Sequence, residues 1–130
     1  MTTADLLPKC MALLFLVAVF GQSGLDKVLD YRGNQTYFQE QFKKSPLNPL
    51  IGALLPLITL MEVATTLLAL LGLVTLVASG QSQWGLYACA LGCLTLIALV
   101  FGQRVAKDYG GAAGIVPYLA VALLGLFFFS

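Results

Sequence analysis

Few residues in this chain could do chemistry, and most of them gather at the ends of apolar runs. The stretch FGQSGLDKVLDYRG, Phe20 to Gly33, places Gln22, Ser23, Asp26, Lys27, Asp30 and Arg32 directly after MALLFLVAVF. A second apolar run carries a single acid, Glu62, with Thr59, Thr65 and Thr66 around it at helical spacing. A third ends in FGQRVAKD and contributes Gln103, Arg104, Lys107 and Asp108. A carboxylate among amides, hydroxyls and cations can accept hydrogen bonds or protons and hold a polar head group in oily surroundings. The same groups can instead tie helices together, at about 0.6 to 2 kcal/mol per contact.

Other chemistry is poorly provided for. The chain has no histidine, the commonest metal ligand and proton shuttle. Cys10, Cys89 and Cys93 form no C-x-x-C, and Cys89 and Cys93 lie four apart on one helical face, the placing of small packing residues. No metal site is expected.

The elements that position these groups follow from composition. Of the 130 residues, 59% are hydrophobic and 10% charged, with a mean hydropathy of +0.91. Soluble domains carry about a quarter charged residues, so the chain reads as one integral membrane domain over residues 1–130. A net charge of +1 offers no basis for binding nucleic acid; the lipid bilayer is the expected partner.

A bilayer core of about 30 Å needs about 20 apolar residues of helix. Four stretches meet or approach that: Cys10 to about Leu29, about Leu50 to Ala78, Trp84 to about Gly102, and Ile115 to Phe129. The last is short, so it must start near Gly111 or be accommodated by local thinning. The polar turns SGQSQ and DYGGAAG join the second span to the third and the third to the fourth. The longer first link contains NQTYFQEQFKK, whose Phe38 and Phe42 are four apart. That spacing predicts a short amphipathic helix in the interface plane, with an ordinary loop bearing two aromatic anchors as the alternative. The fold class is therefore an all-α membrane protein: a four-helix transmembrane bundle with an interfacial helix between the first two spans. The flank TTADLLPK is barely basic, so the first span reads as a retained helix rather than a cleaved signal.

Lys27, Arg32, Lys43 and Lys44 follow the first span, and Arg104 and Lys107 follow the third, against Lys9 alone on the opposite side. The excess of basic residues orients both longer connections toward the cytoplasm and both termini outside. With Pro56 marking the boundary of the second span, Glu62 lies about a turn and a half inside, near the level of Gln22, Ser23 and Gln103. An acid at that depth is expected to face the bundle and meet a partner among Lys27, Arg104 and Lys107. The ligand-binding candidates are Gln22, Ser23, Lys27, Glu62, Thr66, Gln103 and Arg104, around a pocket able to take the head group of a quinone, lipid or small metabolite. Asp30, Arg32, Lys43 and Lys44 read as solvated or lipid-facing charge. Arg104 and Asp108 are spaced for a structural i,i+4 ion pair. FGQSGLDK and FGQRVAKD also echo each other, as a duplicated helical hairpin would.

SGLDKVLDYRGNQTYF, then EVATTLLALLG, then FGQRVAKDYGGA together resemble the DoxX family of small four-helix membrane proteins. Its members commonly show an S-G-x-x-K element ending the first helix, an aromatic-containing segment after it, and a glutamate opening an E-x-x-x-x-x-L-x-L-x-G stretch in the second. Ser23, Gly24, Lys27, Tyr37, Glu62 and Gly72 fall on that pattern. The family is named for similarity to the membrane subunit of a thiosulfate:quinone oxidoreductase. The resemblance implies a four-helix protein of the bacterial inner membrane, associated with a quinone- or redox-linked system and without independent catalysis. It also fits an accessory or assembly subunit of a larger membrane complex, docked through small-residue faces such as YACALGC, or a small transporter acting as a homo-oligomer.

Overall fold

In hydrocarbon a backbone must satisfy its own polar groups, and a helix does so within one segment. The four apolar runs accordingly become four long helices in the computed structural model, which describes residues 2–130. They are α1 (Thr3–Leu29), α3 (Ile51–Ser79), α4 (Gln83–Val105) and α5 (Tyr109–Phe129), and each is long and apolar enough to cross a membrane. The shorter α2 (Tyr31–Gln41) lies between α1 and α3, and a single 3-10 turn at Asn48–Leu50 leads into α3.

Caps explain where the helix ends depart from the apolar runs. Thr2 and Asp5 form a reciprocal capping box, so α1 begins well before Cys10. Asp108 caps α5, its Oδ1 accepting the Gly111 N–H at 3.0 Å, and the helix starts ahead of Gly111. Its 21 residues span about 32 Å, enough without thinning. At the end of α3, Gly80 takes a φ of 74°, which glycine adopts without a Cβ clash, and its N–H and that of Gln81 close on the carbonyls of Leu76 and Thr75.

The four long helices pack in the cyclic order α1, α3, α4, α5, with α1 and α4 meeting more sparsely across the middle. Small residues set the closest approach. A Cβ on Gly72 of α3 would stand 2.9 Å from the Gly85 backbone of α4, so these helices touch main chain to main chain. Leu13, Leu16 and Phe20 of α1 fill the centre against Ala69, Leu76, Ala88, Leu96 and Ala122. Cys89 and Cys93 are free thiols buried in that core.

Two expectations change here. Most of the YACALGC face is used inside the bundle, where Ala88, Cys89, Gly92 and Cys93 are buried, while Tyr87 and Ala90 are exposed. The linker does form a helix, with Asp30 capping it through the Gly33 N–H at 3.2 Å. Yet its aromatic pair does not reach out into lipid: Phe42 is buried, Phe38 is half-buried and stacks on it with ring centroids 6.2 Å apart, and both turn toward α3 and α4. The two FGQ echoes also sit differently. Phe20 is a core residue, whereas Phe101 is 64% exposed.

Candidate functional site

Ser23 and Lys27 are four apart near the end of α1, so both project from one face. That face meets α3 at Glu62. Between them Gly24 permits close approach, because a Cβ there would already stand 3.3 Å from Val63 Cγ2 and 3.6 Å from the Glu62 Cβ. Glu62 is 2% exposed and Lys27 7%.

Lys27 Nζ lies 3.0 Å from Glu62 Oε2 and donates to Oε1 at 3.3 Å. It also donates to Ser23 Oγ at 2.7 Å, and the Ser23 hydroxyl donates in turn toward both carboxylate oxygens at 3.1 Å. The face of the Phe38 ring, with its centroid 6.0 Å from Nζ, covers the ammonium on another side. Donors and acceptors therefore close on one another. Breaking such a buried pair on one side leaves an uncompensated charge, at about 3–5 kcal/mol. The geometry is that of a clamp between α1 and α3.

The other sequence candidates divide. Thr66 is next to the cluster, but its hydroxyl donates to the Glu62 main-chain carbonyl at 2.9 Å, and Thr59 and Thr65 likewise bond back to Leu55 and Met61. Depth does not specify rotation about the helix axis, and Gln22 turns to the exposed side of α1. Arg104 is also exposed. Its guanidinium lies 5.1 Å from the Tyr109 ring centroid, and the expected pair with Asp108 is not formed: among the described residues the one ion pair is Lys27–Glu62. Asp108 is engaged elsewhere, capping α5 and accepting from Gln41 Nε2 at 2.7 Å. That bond fastens the end of α2 to the start of α5.

Gln103 belongs to a different feature. It lines a cavity of about 220 Å³ enclosed by α2, α3 and α4, with Phe38, Phe42, Ile58, Met61 and Leu99 among its walls. Leu57 and Phe101, 53% and 64% exposed, stand at its rim, so it opens sideways toward lipid. Gln103 Oε1 is buried and has no hydrogen-bond partner. Glu62 does not line this space. The expected pocket around the carboxylate is thus two separate features: a closed polar cluster, and an apolar cavity with one polar side chain, Gln103, among its lining residues.

Sequence reasoning assigned Phe38 and Phe42 to the membrane interface and so missed them as cavity walls. Their spacing was visible, but the direction of the aromatic face depends on how α2 folds back. Lys9, at the opposite end of the bundle, was also missed as a packing residue: it donates to Ser82 Oγ at 3.3 Å and lies 5.4 Å from the Phe129 ring centroid.

Comparison with known families, curated proteins and solved structures finds no match for this chain.

Proposed function

We propose that this multi-pass membrane protein is a non-catalytic, DoxX-type binder of a small ring-bearing amphiphile, of the size of a quinone head group, serving a quinone- or redox-linked system of the bacterial inner membrane. The occupant sits in the cavity between α2, α3 and α4, and Lys27, Glu62 and Ser23 form the framework that keeps α1 on α3. The observation that carries this reading is the cavity itself: apolar, laterally open and about 220 Å³. A space of roughly 150 Å³ lined by apolar side chains takes up benzene, so this one has room for a substituted ring whose tail runs out past Leu57 and Phe101.

Resemblance to the DoxX pattern supports the reading, since Ser23, Gly24, Lys27 and Glu62 fall on its motif residues. In the orientation it requires, both termini are outside and the cavity lies toward the cytoplasmic leaflet. Lys27 is turned inward and no longer counts as loop charge. Arg32, Lys43, Lys44, Arg104 and Lys107 still outweigh Lys9.

The test is binding of a short-tailed benzoquinone to the protein in lipid nanodiscs. Saturable binding is expected for the wild type and its loss in Ala98→Trp, which fills the cavity from an exposed position on its wall. Equal binding by both proteins would remove the cavity from the account, and reduced binding in Glu62→Gln alone would return the ligand to the polar cluster.

A further inference from the structure

We infer that a recess between α2 and the start of α3 holds the head group of an aminophospholipid, with Lys43 on its phosphate and Glu40 on its primary ammonium. This is a second site, and it does not rest on the cavity reading.

The recess is open, measures about 500 Å³ and is walled mostly by polar side chains, among them Gln39, Glu40, Lys43 and Asn48, with Ile51 and Gly52 contributed by α3. Its charged lining is one acid and one base, both exposed. Although they are three apart, neither forms an ion pair among the described residues. A head group with a phosphate and a primary ammonium carries the two complementary charges and N–H donors for the carboxylate. An anionic phospholipid would meet Lys43 but be repelled by Glu40. A choline head group brings a cation wrapped in methyl groups, with no N–H to donate.

Depth and surroundings fit a lipid rather than a soluble zwitterion. Gly52 precedes Pro56, the boundary marker of the span, by four residues, about 6 Å of helix. That lies within the polar layer, which adds about 5 to 7 Å to each side of the hydrocarbon core. Pro56 and Leu60 continue the Gly52 face at steps of four, and all three are exposed, so an acyl chain has an apolar track from the recess into the bilayer. A Cβ on Gly52 would meet nothing within 4 Å, which leaves the head of that track open.

The experiment measures retention of dioleoyl phosphatidylethanolamine, phosphatidylcholine and phosphatidylglycerol by the intact protein, using native mass spectrometry from detergent micelles. The ethanolamine lipid is expected to be retained about twofold to fivefold better than each of the others, the size of one exposed ion pair. Lys43→Gln should weaken all three, Glu40→Gln should erase the preference, and Gly52→Trp, which fills the recess, should reduce the ethanolamine lipid to the level of the others. Lys44→Gln, outside the recess, should change nothing. Equal retention of the three lipids by the wild type, or a preference for phosphatidylglycerol, would overturn the inference. An effect of Lys44→Gln as large as that of Lys43→Gln would overturn it as well, by showing attraction to general surface charge. Displacement of the lipid by an equal concentration of glycerophosphoethanolamine would overturn the assignment to a lipid.

Discussion

Met61 and Glu62 are neighbours on α3, yet they face two regions that treat polarity in opposite ways. About 100° of helical rotation separates them. On the Glu62 side, ammonium, hydroxyl and carboxylate satisfy one another against α1. On the Met61 side the walls are apolar, and Gln103 is the one polar side chain among them. A side chain that has every partner it needs holds a structure together, whereas an apolar cavity open at one side has room for something else. The difference teaches that the most conspicuous polar residue of a membrane protein need not mark its binding site.

The comparison can be broken most forcefully at the clamp. Lys27→Met should cost about 3–5 kcal/mol, since it strands a buried carboxylate, read as unfolding in bicelles or mild detergent. A loss below about 1 kcal/mol would mean that the pair is solvated. Adding bulk to each region sharpens the contrast. Gly24→Leu should cost about 1–3 kcal/mol by prising α1 from α3, and Ala98→Leu, on the cavity wall, should stay within about 0.5 kcal/mol of wild type. Equal destabilisation by the two would erase the distinction between a packed contact and open space. The smallest effect lies outside both regions: Arg104→Ala should remove only the exposed stacking on Tyr109, about 0.5–1 kcal/mol, and leave the binding of the short-tailed benzoquinone unchanged.

Much of this was legible in the sequence because hydrocarbon imposes strong rules. Apolar run lengths gave the four spans, and Gly80 and the polar turns gave their connections. An acid placed within a span required a partner, and Lys27 stood among the three expected cations, with Ser23 near the same depth. Rotation was harder to read. Gln22 shares that depth with Ser23 but turns outward, because one residue of helix is a large angle and only packing fixes which face is inside. Caps were missed for a different reason. Thr2 and Asp108 are polar residues outside the apolar runs, and hydropathy stops where they begin to lengthen the helix. The Arg104–Asp108 pair failed because Asp108 had two other donors to serve. The cavity could not be read at all, since it is a gap left by three helices and belongs to none of them.

The central claim, that Lys27 and Glu62 form a self-contained clamp, is tested most directly by the stability of Lys27→Met against the Lys27→Met/Glu62→Leu double variant in bicelles. With the stranded carboxylate gone, the double variant should recover at least half of what the single variant lost. If it is instead no more stable than Lys27→Met, the two side chains are not energetically coupled and Glu62 is free to serve another partner.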